Sequence, residues 1–182
     1  MDDRAFAEQE SSRSGERAPV SPSPSPSSIP SPSPAVKLPP APVAGLSQVQ
    51  MDNAGTIVQV ARTMGLSRRA MIIGVATAMQ ESNLHNTASE AVPESLNYPH
   101  QGTSVDHDSI GVFQQRPSSG WGTVANLMRP AYQAEKFFTK LAKLDWENMS
   151  LTEAAQAVQV SAYPNAYAKH ESRATTIVDA FL

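Results

Sequence analysis

The chain has 182 residues, 14 Lys and Arg against 17 Asp and Glu for a net charge of −3, and no cysteine. That length suits one domain plus a tail. The near-balanced charge, with no basic cluster beyond Arg68-Arg69, excludes a nucleic-acid footprint, and the missing cysteine excludes a disulfide framework and a Cys nucleophile. The longest apolar run, Ala70 to Met79, is too short to span a bilayer. No basic stretch followed by an apolar one opens the chain, so no export signal is expected there.

Residues 1 to 18 are polar and charged without hydrophobic period, and prolines then crowd between Pro19 and Pro42, alternating with serine as in Ser21-Pro22-Ser23-Pro24. Such a segment cannot bury a core and favours polyproline II. It is expected to be a disordered tether of about 75 Å at full reach. The composition shift near residue 45 divides the chain into a polar, Ser/Pro-rich tail over 1–45 and a folded domain over 46–182.

Within the domain, Ala54, Ile57, Val58, Ala61 and Met64 recur at helical spacing and Gly65 follows, predicting a helix from Ser47 to Met64. Ser67 is placed to cap a second helix over Arg68 to about Gln80, apolar nearly all round and therefore central to the core. Its far end carries Glu81. Apolar neighbours and the negative end of the helix dipole both disfavour a charged carboxylate, so this acid is expected to keep its proton to higher pH than usual. That is what a general acid needs.

Residues 83 to 109 turn polar and loop-like, a length typical of a binding loop, and are expected to form one wall of a cleft. Asp108 to Pro117 reads as a short extended element. Its Gly111 permits close approach of a polymer, and its paired amides Gln114 and Gln115 offer donors and acceptors to sugar hydroxyl and acetamido groups. The competing reading is a buried turn whose amides bond local backbone. Pro130 opens a helix through about Leu141 with Tyr132, Phe137, Phe138 and Leu141 on one face. Ser150-Leu151-Thr152-Glu153 is a capping box for a helix through about Val158, and Pro164 or Asn165 begins a last helix with Tyr167, Ala174, Ile177, Val178 and Phe181 inward. Tyr132 and Tyr167 read as ordinary packing, and Trp121 and Trp146 as core or cleft edge. The fold class expected is mainly α with little or no sheet.

The order Gln80-Glu81-Ser82, then Ser109-Ile110-Gly111-Val112-Phe113-Gln114, then Ser161-Ala162-Tyr163-Pro164-Asn165, resembles the three-part signature of the soluble lytic transglycosylase and goose-type lysozyme superfamily in its short actinobacterial form. The resemblance spans about residues 46 to 182 and implies a lysozyme-like helical domain. It further implies that Glu81 is the catalytic acid, that Ser82 helps to orient the site, and that Gly111, Phe113, Gln114 and Gln115 line a glycan cleft. Tyr163 would reach toward the acid. Two departures stand out: Val112-Phe113 replaces the family's Leu-Met, and Pro164 separates Tyr163 from Asn165, which suits a helix N-cap as well as a sugar contact.

Cleaving a glycosidic bond needs a proton for the leaving oxygen and a group that stabilises or traps the sugar cation, often a second carboxylate. Asp106 and Asp108, flanking His107, are the candidates for that role. A single acid suits a lytic transglycosylase, in which the muramyl 6-hydroxyl of the substrate attacks. The function implied is therefore cleavage of the β-1,4 bond between N-acetylmuramic acid and N-acetylglucosamine in peptidoglycan. It would take place at the cell wall, by a monomer that needs no cofactor, metal or membrane span. A lysozyme-type hydrolase and a non-catalytic peptidoglycan-binding module are the alternatives. His85, His100, His107 and Asp108 lack the spacing of a metal site on one helix face, and no Gly-x-Ser-x-Gly elbow occurs.

Overall fold

A computed structural model describes residues 40–105, 107–161 and 165–182. These residues are mainly helical. Helix α1 (Gln48–Thr63) starts at a reciprocal cap: the Ser47 hydroxyl accepts from the Gln50 N–H, and the Gln50 side chain accepts from the Ser47 N–H at 2.8 Å. It ends where Gly65, at φ +71°, lets the Leu66 N–H return to the Ala61 carbonyl at 2.9 Å. Between these ends Met51, Ala54, Ile57, Val58 and Ala61 are buried.

Helix α2 (Arg68–Ser82) is the centre of the domain, buried at every position from Ala70 to Met79. Ser67 stands at its N-cap in extended conformation, but its side chain makes no capping bond. The helix runs past Gln80 and takes in Glu81 and Ser82 before stopping abruptly. Asn83 and Leu84 both adopt positive φ, and their N–H groups return to the Met79 and Ala78 carbonyls. Leu84 is nonetheless fully buried, which holds the chain in a conformation its side chain disfavours.

The polar stretch after Leu84 carries a 3-10 helix, Pro93–Asn97, and two strands of two residues each. The strands β1 (Ala88–Ser89) and β2 (Thr103–Ser104) pair in parallel, with Ala88 opposite Thr103. Asn86 pins this segment by donating to the Pro99 and Met128 carbonyls at 2.8 and 2.9 Å. A small second core of Ala88, Ile110, Leu127 and Met128 lies beneath it.

Helix α3 (Val124–Leu127) is a single turn, and α4 (Pro130–Leu141) begins on its proline as expected. Phe137, Phe138 and Leu141 of α4 are fully buried in the main core, while Tyr132 is half-buried. Helix α5 (Leu151–Gln159) has the Ser150–Glu153 capping box in place. The last helix, α6 (Glu171–Asp179), starts later than the sequence suggests, after a 3-10 turn at Ala168–His170, and Asn165 lies in an exposed turn before it. Among the described residues, no helix is long and apolar enough to cross a membrane.

Candidate active site

Glu81 occupies the last turn of α2 and is half-buried. The fully buried Tyr167 donates its hydroxyl to Glu81 Oε1 at 2.6 Å, and the Gln159 side chain gives the carboxyl a second hydrogen bond. Burial pushes the Glu81 pKa up, and the bonds from Tyr167 and Gln159 pull it down without cancelling that effect. Tyr167 is itself pushed far up, first by burial and then by its bond to Glu81, so it stays a donor. The result is a carboxyl held by two neutral donors, able to keep a proton to higher pH and to take one back.

Tyr167 is therefore not ordinary packing, contrary to the sequence reading. Ala-Tyr occurs twice in this part of the chain, as Ala162-Tyr163 and Ala166-Tyr167, and the hydroxyl on Glu81 is that of the second. Tyr163, expected to reach the acid, lies outside the described residues, as does Asp106. Gln159 carried no signal in the sequence beyond its place at the end of a capped helix. Its Nε2 also donates to the Phe113 carbonyl at 2.7 Å, so it joins the acid to the opposite wall.

That wall is a turn rather than an extended element. Ile110 and Gln115 exchange backbone hydrogen bonds at 3.1 and 3.0 Å, closing a loop in which Gly111 and Gln114 take positive φ. Gln133 of α4 clamps the loop from below: its Nε2 donates to the Ile110 carbonyl and its Oε1 accepts from the Phe113 N–H, both at 2.7 Å. A Cβ at Gly111 would come within 2.2 Å of the Gln133 side chain, so the clamp and the φ of +79° both require glycine. The Ser82 hydroxyl ties the same turn to the end of α2 by donating to the Val112 carbonyl at 2.7 Å.

The residues expected to line the cleft separate into two groups. Gln114 and Gln115 border a cavity of about 380 Å³ together with Trp121, Lys140 and Gln159. Gln114 also donates to the Gly111 carbonyl at 2.8 Å, as the reading of amides bonded to local backbone expects, whereas Gln115 donates to the distant Gln133 carbonyl of α4 at 3.3 Å. Phe113 does not line the cleft. Its ring is fully buried, stacked on Phe137 with centroids 4.9 Å apart, and only its carbonyl faces the site, through Gln159. Trp121 is half-buried at the cavity edge with the Lys140 ammonium 3.2 Å from its ring centroid, whereas Trp146 is buried in the core.

Asp108 is engaged elsewhere. Its Oδ1 accepts from Arg116 Nε and its Oδ2 from the Ser118 N–H at 2.9 Å. Burial pushes its pKa up, but the bonds from Ser118 and Arg116 outweigh burial and hold the carboxyl well below the usual carboxylate range. It braces the chain after the turn as a group ionised at neutral pH.

No protein-family model matches the chain, and a search of curated proteins likewise finds no match.

Proposed function

We propose that this chain cleaves peptidoglycan glycan strands at the β-1,4 bond between N-acetylmuramic acid and N-acetylglucosamine, as a lytic transglycosylase with Glu81 as its one acid and base. The observation that carries this reading is the half-buried Glu81 carboxyl, held by Tyr167 at 2.6 Å, raised in pKa by burial, and bonded by Gln159, which also lines an amide-bordered cavity. The resemblance of Gln80-Glu81-Ser82 and Ser109 to Gln114 to the transglycosylase and goose-type lysozyme signature supports it. The Ala-Tyr of the third segment then corresponds to Ala166-Tyr167.

In this mechanism the protonated Glu81 gives its proton to the glycosidic oxygen, and the N-acetylglucosamine side leaves as an alcohol. The ionised Glu81 then takes the proton of the muramyl 6-hydroxyl as that oxygen closes on C1, and the acid is restored. Tyr167 and Gln159 hold the carboxyl in place through both transfers and stabilise its ionised interval. The substrate lies in the cell wall, and the chain acts on it as a monomer.

Digestion of purified peptidoglycan tests the proposal. Wild type is expected to release fragments with anhydromuramyl ends, identified by mass, and Glu81→Gln to release none. Reducing ends in their place would make the protein a hydrolase. Folded wild type that binds the polymer and releases nothing would be a glycan-binding module.

A further inference from the structure

The cavity bordered by Gln114, Gln115 and Gln159 carries charge that a neutral sugar would not require. Arg116 and Lys140 both line it, and its described lining includes no acidic side chain. The two cations differ. Arg116 is neutralised by Asp108, whereas the Lys and Arg ion pairs among the described residues, Arg68–Asp179 and Arg116–Asp108, leave Lys140 out. Lys140 is instead held over the Trp121 ring, 3.2 Å from its centroid, an arrangement that fixes the ammonium without cancelling its charge. Lys140 is an exposed side chain, and slight desolvation together with nearby Lys143 pushes its pKa down. Gln115 and Gln159, which also border the cavity, each keep a buried side-chain oxygen without a hydrogen-bond partner.

We propose that this cavity takes a carboxylate carried by the glycan strand, with Lys140 as the residue that recognises it and Trp121 as the platform that positions Lys140. The proposal rests on the glycan-cleaving reading and deepens it: the site would prefer acidic muramyl strands to neutral chitin-like ones. The carboxylate has two alternative sources on such a strand: the stem peptide where one is attached, and the lactyl group of muramic acid where none is.

The test is a binding titration with full-length Glu81→Gln, alone and combined with Lys140→Gln or Lys140→Arg. Three ligands are used: a peptide-bearing muramyl tetrasaccharide, the same tetrasaccharide without peptide, and neutral chitotetraose. Lys140→Gln is expected to weaken the peptide-bearing ligand about fivefold, less at high salt, with chitotetraose unchanged and Lys140→Arg restoring affinity. A loss confined to the peptide-bearing ligand assigns the stem, and a loss confined to the peptide-free strand, whose lactyl carboxyl is not amidated, assigns the lactyl group. Equal effects on all three ligands, or none, would overturn the proposal while leaving cleavage by the wild type intact. Failure to bind any of the three would overturn the carboxylate site, while digestion of peptidoglycan by the wild type decides the cleavage reading separately.

Discussion

Glu81 and Asp108 are both half-buried carboxylates, one ending α2 and the other preceding the Gly111 turn, and their surroundings drive them in opposite directions. Glu81 meets two neutral side-chain donors, Tyr167 and Gln159, which soften the effect of burial without abolishing it. Asp108 meets a guanidinium and a backbone N–H, which reverse it. Burial alone therefore does not make an acid. What separates a carboxyl suited to proton transfer from a structural brace is whether the donors gathered around it, Ser118 and then Arg116 at Asp108, outweigh its burial.

The largest expected break in this contrast is Glu81→Gln, which lowers peptidoglycan cleavage by about 10²- to 10⁴-fold in a rate assay. The same substitution sharpens the contrast in stability. An acid whose native pKa is raised contributes stability that is full below its ordinary value of 4.5 and is lost as pH rises through the native pKa. Gln cannot ionise, so thermal melts are expected to favour the variant above that range and to converge with wild type in acid.

Gly111→Ala strikes the turn between the two acids. The added methyl meets Gln133 at a backbone angle that alanine disfavours, and urea unfolding is expected to show a loss of about 3 kcal/mol. Tyr167→Phe removes one neutral donor at a cost of about 1 kcal/mol. Because that bond lowers the Glu81 pKa, its loss moves the alkaline limb of the pH–rate profile upward. Asp108→Asn has the smallest effect, below about 1 kcal/mol at neutral pH, since Arg116 is partly exposed. A depressed acid stabilises the fold above its ordinary value and loses that contribution as pH falls through its native pKa, so melts of this variant and wild type are expected to converge in strong acid.

What was legible in the sequence is what local chemistry specifies. Ser47 and Gly65 bracket α1, Pro130 opens α4, and Ser150 with Glu153 opens α5, because caps and periodicity act within a few residues. Helix α3 is shorter than any period that would reveal it, and the two-residue strands exist only because Asn86 and Gly102 bring their neighbours together. The burial of Glu81 was legible because it is the lone charge closing an apolar helix. Its partner was not, since nothing near Tyr167 distinguishes a tyrosine that packs from one that also donates. Phe113 illustrates the reverse error. An apolar residue in a polar turn looks like a ligand contact until Phe137, far along the chain, claims its ring.

The bond between Tyr167 and Glu81 spans 86 residues of sequence, and this separation governs how the site comes into being. A chain emerging from the ribosome completes α2, with its acid, long before the tyrosine that partners it exists. Until the C-terminal segment docks, Glu81 lacks the Tyr167 hydroxyl that holds it in the folded domain. The capacity for proton transfer is thus a late product of folding, coupled to a contact of high cost in loop closure. Slow docking of α6 would leave a largely helical yet chemically inert intermediate, and the perturbed acid would serve as a spectroscopic marker that the last step had occurred.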